Sequence, residues 1–131
     1  MTEEKIKHDW WQKGRGLDLW SIPHFLFGIL TGFLPSLIGI SFLTALTLTL
    51  ILAMSWEIYE KFVGIKETIQ NSVLDIILPI FSFTLTSFIL LVYPLHPNDL
   101  LVVAIAVLAL YIFTNLSGWL AYRRRQRDFM N

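Results

Sequence analysis

Four acidic side chains between two long apolar runs are the residues whose chemistry most needs an explanation. Glu57 and Glu60 are spaced three apart. Glu67, Asn71 and Asp75 follow at steps of four. Residues at these spacings share one face of a helix. Carboxylates beside hydrocarbon are costly and mark functional positions, so these residues predict a polar site at one end of a helical bundle.

The composition of this group favours cation chemistry. Carboxylates within a few ångströms repel one another, and protonation or a bound cation relieves the repulsion. Oxygen ligands with at most one imidazole suit Mg²⁺, Mn²⁺ or Ca²⁺, or a carboxylate-rich zinc site. With His24 as the imidazole, Glu57 and Asp75 are the predicted metal ligands, and a divalent cation is the cofactor that they would bind. Such a metal would bind a lipid phosphate or activate water.

The individual residues have different expected roles. Glu57, Glu60 and Asp75 are the candidate catalytic groups, as ligands or as acids and bases. The candidates for substrate binding are His24, Glu67, Asn71 and Asn115. A competing interpretation is structural. In it Glu57 and Glu60 lie among lipid headgroups, paired with Lys61, Lys66 or the C-terminal arginines, and Asp75 is a buried hydrogen-bonding group.

Four apolar runs must position these residues. Of the 131 residues, 55% are hydrophobic and 15% are charged, a composition that indicates a membrane protein rather than a soluble domain. A bilayer core requires about 20 apolar residues per helix, and lipid leaves the backbone no other hydrogen-bond partners. We therefore predict an all-α membrane protein, a four-transmembrane-helix bundle. An N-terminal segment at residues 1–19 precedes four spans, at about residues 20–39, 41–60, 72–93 and 100–122, and a basic tail follows at residues 123–131.

Two periodic stripes predict how the spans pack. His24, Gly28 and Gly32 recur every four residues on the first span, and small residues at this spacing let another helix approach closely. The third span carries a polar seam at steps of three and four, formed by Ser72, Asp75, Pro79, Ser82 and Thr86.

Charge predicts the orientation in the membrane. Four of the ten lysines and arginines precede the first span, two lie between the second and third, and four follow the fourth. The positive-inside rule makes that side cytoplasmic, so both termini and the candidate site are expected at the inner face of the cell membrane. Zero net charge gives no indication of a nucleic-acid partner, and the lack of cysteine excludes disulfides and thiolate chemistry.

Two classes of function fit this pattern. In the first, the acidic cluster binds a cation or a lipid headgroup and acts on, or binds, a lipid-linked substrate, with membrane lipids as partners. In the second, the chain is a non-enzymatic accessory subunit or an ion-translocating subunit, and the polar seam is part of a path or a partner face. Whether the protein is an enzyme, and whether it forms a homo-oligomer, is left open by the sequence.

The site residues also resemble those of a known family. Asp18 and His24 at the first span, Glu57 at the end of the second, and Asn71 with Asp75 opening the third look like the VanZ-like family of small bacterial membrane proteins, or a closely related group. The resemblance covers residues 18–90. It implies an integral membrane protein of four or five helices, whose founding member is linked to glycopeptide resistance and whose molecular activity is generally unassigned. This chain departs from the pattern in that Asn precedes Asp rather than following it.

Overall fold

The structure, a computed structural model, describes residues 18–65 and 67–130, and all of their regular secondary structure is helical. Four stretches are long and apolar enough to cross a membrane, which confirms the predicted number of membrane-length helical units. The first of these stretches comprises two helices, α1 and α2, which are separated at Phe33. Each of the other three stretches is one continuous helix. The helices are α1 Ser21–Gly32, α2 Leu34–Ile38, α3 Phe42–Phe62, α4 Ile69–Val92 and α5 Pro97–Met130.

Helices α4 and α5 extend furthest beyond the predicted spans. Helix α4 begins three residues before residue 72, because Thr68 caps it by accepting the backbone N–H of Asn71 at 3.1 Å. Helix α5 begins at Pro97, three residues before the predicted start of the fourth span at residue 100, and continues through the basic segment predicted as a tail. Arginine is a good helix former, so the helix persists after the apolar sequence ends. Of the predicted segment 1–19, only Asp18 and Leu19 lie within the described residues.

Two glycines end helices in the way their conformational freedom permits. Gly39 follows α2 with φ of 71°, and Gly64 follows α3 with φ of 84°. A side chain is disfavoured in this left-handed region, which glycine occupies readily. Each glycine therefore allows the chain to turn back toward the next membrane-length helix.

The packing of α1 on α4 is the most extensive helix contact, and it uses the predicted small-residue stripe. A Cβ atom on Gly28 would overlap Ser82 Oγ and the Pro79 carbonyl oxygen. One on Gly32 would lie 2.8 Å from Thr86 Cβ. The two glycines therefore let the backbones of α1 and α4 approach closely along the polar seam.

Helix α5 runs antiparallel to α1 and packs on its outer side. Near the end of α1, Phe33 shares a buried apolar cluster with Leu100 at the start of α5. Nearer the start of α1, Phe27 lies against Tyr111, with ring centroids 6.2 Å apart. This apolar cluster lies at the opposite end of the bundle from His24, so that the bundle has one apolar end and one polar end.

Ser82 links the two central helices by a hydrogen bond, which permits a direct stability test. Its hydroxyl donates to the Phe25 carbonyl oxygen of α1 at 2.7 Å. Ser82→Ala is expected to lower the free energy of unfolding by about 1 kcal/mol, typical of an interhelical bond in lipid. The matched control is Ser55→Ala, since the exposed Ser55 hydroxyl donates, among the described residues, only to the Ile51 carbonyl oxygen of its own helix. Equal losses for both variants in a detergent unfolding titration would show that the interhelical bond is not the stabilising one.

Candidate metal centre

Three helix ends bring the candidate ligands together at the polar end of the bundle. Helix α1 supplies His24 in its first turn, α3 supplies Glu57 and Glu60 near its end, and α4 supplies Asp75 near its start. Glu67 comes from the connection just before α4. We call the four acids Glu57, Glu60, Glu67 and Asp75 the carboxylate cluster. One ligand oxygen from each lies within 4.8 Å of one from every other member.

The three helical members of the carboxylate cluster are deeply buried. Glu57, Glu60 and Asp75 are 4%, 2% and 1% exposed. Lys61, which the structural interpretation offered as a partner, is exposed beside them. This burial favours an interior polar site over side chains that lie loosely among lipid headgroups.

His24 provides the imidazole that the sequence predicts for this site. Its Nε2 atom lies 3.4 Å from Asp75 Oδ2. His24 also forms a compact group with Glu57 and Asp75, in which the three ligand atoms lie within 4.8 Å of one another. The three residues predicted as metal ligands therefore meet in the fold.

Neighbouring side chains fix the orientation of several site residues. Trp56 Nε1 donates to Glu60 Oε1 at 2.9 Å, and Ser72 Oγ donates to Glu67 Oε1 at 2.8 Å. Asn71, which is fully buried, donates through Nδ2 to Asp18 Oδ2 at 3.1 Å. Donors of this kind hold metal ligands in place in known metal sites.

Glu57 differs from the other acids in its surroundings. Both of its oxygens are buried and lack a hydrogen-bond donor among the described residues. The carboxyl of Glu67 is within hydrogen-bonding reach of it when one of the two is protonated, and the charges of Glu60, Glu67 and Asp75 also act on it. A buried carboxylate without a donor is unstable unless it is protonated or a cation binds it. The geometry therefore suits a cation at Glu57.

A run of small residues on α3 explains why Glu57 faces inward. Ala45, Thr49 and Ala53 are buried at steps of four, and Glu57 is the next residue in this series. The short side chains let α3 pack against α4. This stripe was not predicted, although its spacing is present in the sequence. The hydrogen bond from Trp56 to Glu60 was not predicted either.

The structure does not bring Asn115 into the site. Its side-chain amide donates to the Tyr111 carbonyl oxygen, one turn earlier on its own helix, at 2.8 Å. Among the described residues this amide makes no hydrogen bond to the carboxylate cluster. Asn115 was predicted there from its position along the fourth span, which does not determine the direction in which a side chain points.

Comparisons with known proteins were made for the whole chain. A scan of protein-family models and searches of curated proteins and of solved structures find no match.

Proposed function

We propose that this chain is a multi-pass protein of the cytoplasmic membrane that binds a divalent cation in the carboxylate cluster and His24. The observation that carries the proposal is Glu57, a carboxylate that is 4% exposed and accepts no hydrogen bond from an N–H or hydroxyl group among the described residues. A cation would supply the missing partner for Glu57 and offset the repulsion between neighbouring acids.

The orientation with both termini inside is part of the proposal. Lysines and arginines at both termini and between the second and third spans support it through the positive-inside rule. In this orientation the polar end of the bundle lies at the inner leaflet. The basic end of α5 also reaches that face, where Leu120, Arg123, Arg124 and Arg127 line an open groove. Arginines at this depth attract anionic lipid headgroups, which supports membrane lipids as partners.

A lipid-linked substrate is the ligand class that fits such a site. The site would open at the depth of the headgroups, and a bound divalent cation coordinates phosphate oxygens and activates water. In that chemistry Glu57 and Asp75 would hold the metal, and Glu60 would serve as an acid or base. Asn71 would position Asp18 through the hydrogen bond that joins them.

The VanZ-like relationship is likewise a proposal. The residues that carry the resemblance come from three separate stretches of the chain. Asp18 bonds to Asn71, and His24 groups with Glu57 and Asp75. The convergence of these five residues at one end of the bundle supports a shared site.

The packing of the polar seam favours a one-sided site over an ion path. A path requires polar groups and water through the full thickness of the membrane. Here Gly28 packs directly on Ser82 and Pro79, so α1 fills this part of the seam. Ser82 and Pro79 are accordingly buried.

Metal analysis of the purified protein tests the proposal. The full chain in detergent, dialysed against metal-free buffer and then titrated with Mn²⁺, is expected to bind Mn²⁺ at micromolar concentrations. Glu57→Gln keeps the size of the side chain but weakens one ligand, so the Mn²⁺ affinity should fall at least tenfold. The matched control is Asp99→Asn, because Asp99 is an exposed acid at the other end of the bundle. A folded wild-type chain without Mn²⁺ affinity, or equal affinity in Glu57→Gln, would refute the proposal.

A further inference from the structure

The C-terminal end of α5 carries a groove whose chemistry differs from that of the carboxylate cluster. The residues that line it lie at helical spacings of three and four on one face of α5, and they are Leu120, Arg123, Arg124 and Arg127. Two buried residues of the same helix, Ala104 and Gly118, lie on the opposite side. The groove, which we call the basic groove, therefore opens away from the helix that packs on α5.

The charge of the basic groove is complementary to an anion. Its three arginines are exposed, and none of them pairs with a carboxylate among the described residues. The sequence from residue 123 to residue 128 holds four arginines and one aspartate, so the segment has a net charge of +3. A guanidinium group donates two parallel N–H bonds in a fixed fork, which matches the oxygens of a phosphate group. The ligand that fits is therefore a phosphate-bearing anion.

Trp119 orients one of these arginines and indicates the depth of the groove. The Arg123 Cζ atom lies 4.9 Å from the centroid of the Trp119 ring. This cation–π contact stabilises the guanidinium group in one place and leaves its N–H edge available to a ligand. Tryptophan is enriched at the boundary between membrane and water. The arginines that follow Trp119 are accordingly expected at the level of the lipid phosphates.

An apolar strip joins the basic groove to the membrane-spanning part of α5. Phe113, Leu116 and Leu120 are spaced three and four apart, and they are 67%, 51% and 46% exposed. They lie on the same helix face as the arginines. In a bilayer this strip is covered by acyl chains, so a lipid that lies on it brings its own phosphate to the groove. A free phosphate ion would use only the arginines.

We propose that the basic groove binds one anionic phospholipid. Its phosphate accepts hydrogen bonds from Arg123, Arg124 and Arg127, and its acyl chain lies along the apolar strip. This inference rests on the proposed function, because it requires α5 to span the membrane and specifies which of the membrane lipids is a partner. It does not require a cation, since no carboxylate cluster residue lines the groove.

Lipid binding by the full chain in detergent tests the inference. Native mass spectrometry in the presence of a chelator would compare phosphatidylglycerol with phosphatidylcholine of the same acyl chains. The wild-type chain is expected to bind one phosphatidylglycerol more tightly than phosphatidylcholine, whose headgroup has no net charge. Each arginine near an anionic headgroup is worth about fivefold in affinity, so Arg124→Gln with Arg127→Gln should weaken phosphatidylglycerol binding about 25-fold.

Two further variants separate a site with defined contacts from diffuse attraction. Arg124→Lys with Arg127→Lys keeps both charges but removes the forked donors, so its affinity should lie between those of the wild type and the glutamine variant. Lys61→Gln removes a positive charge from an exposed side chain outside the groove, near the end of α3. It should bind phosphatidylglycerol as the wild type does.

Several results would overturn the inference. Equal wild-type affinities for the two lipids would do so, and this comparison needs no variant to fold. Equal affinity in the wild type and either double variant would show that the attraction is diffuse. Displacement of phosphatidylglycerol by inorganic phosphate would show that the occupant is a free anion. None of these results bears on the cation site, because all are obtained in chelator, and a chain that binds phosphatidylglycerol but no Mn²⁺ would refute only the proposed cation site.

Discussion

Gly28→Ala is expected to abolish stable packing of α1 on α4. The added methyl group would overlap Ser82 Oγ and the Pro79 carbonyl oxygen, and would lie 2.7 Å from Pro79 Cα. Two of these contacts are to backbone atoms in the middle of a helix, which cannot rotate aside as a flexible side chain can. Overpacking usually costs about 1 to 3 kcal/mol, and immovable neighbours place this variant at or above the upper end.

Two other glycines provide graded controls for this prediction. Gly32→Ala would meet Thr86 Cβ at 2.8 Å and the Phe83 carbonyl oxygen at 3.1 Å, so its cost should be intermediate. Gly39→Ala has open space but a φ of 71°, so its cost of about 1 to 2 kcal/mol is conformational only. Thermal midpoints measured in one detergent should therefore be highest for Gly39→Ala, lower for Gly32→Ala and lowest for Gly28→Ala. Equal midpoints for Gly28→Ala and Gly39→Ala would contradict the close packing of the helices.

The membrane-length helices were predictable because their signal is strong and local. Long runs without charge have few structural solutions in a membrane protein, and lipid permits only internally bonded backbone. The length of α5 was not predictable in this way. Hydropathy indicates where a helix would leave the apolar layer, but not whether the arginines beyond Tyr122 remain helical. Helix propensity, which favours arginine, was the better guide there.

The site was predictable where helical periodicity and topology agreed. Glu57 and Asp75 end and begin consecutive helices joined by a short connection, so antiparallel packing brings them together. Asn115 was predicted in the site from its depth in the membrane alone. It lies elsewhere because its helix packs on the outer side of α1. The hydrogen bond from Asn71 to Asp18 joins residues that are 53 positions apart in the chain. It depends on tertiary packing, so no local sequence pattern predicts it.

The second large effect concerns stability with and without metal. A chelator is expected to lower the thermal midpoint of the wild-type protein, because it removes the cations that offset repulsion in the carboxylate cluster. At a free metal concentration of 100 times the dissociation constant, one bound cation adds about 2.7 kcal/mol to the free energy of unfolding. The metal-free protein should therefore be markedly less stable than the metal-loaded protein.

Glu57→Gln should respond to metal differently from the wild-type protein. In chelator the variant is expected to be more stable than the wild type, because it replaces one of four neighbouring carboxyls with a neutral amide that can donate hydrogen bonds to the rest. In saturating Mn²⁺ the order should reverse, since the variant has lost a ligand and gains little from the metal. Asp99→Asn, at the exposed far end of the bundle, should follow the wild type under both conditions.

The wild-type and Glu57→Gln thermal midpoints should change their order between chelator and Mn²⁺. This reversal distinguishes a binding site from a merely buried structural cluster. If Glu57 only contributed packing, Glu57→Gln would be equally destabilising with Mn²⁺ and with chelator. If the cluster were a protonated network without metal, Mn²⁺ would leave both midpoints unchanged. Only a carboxylate whose partner is a cation gives opposite orders under the two conditions, because the same negative charge that binds the metal destabilises the protein when the metal is removed.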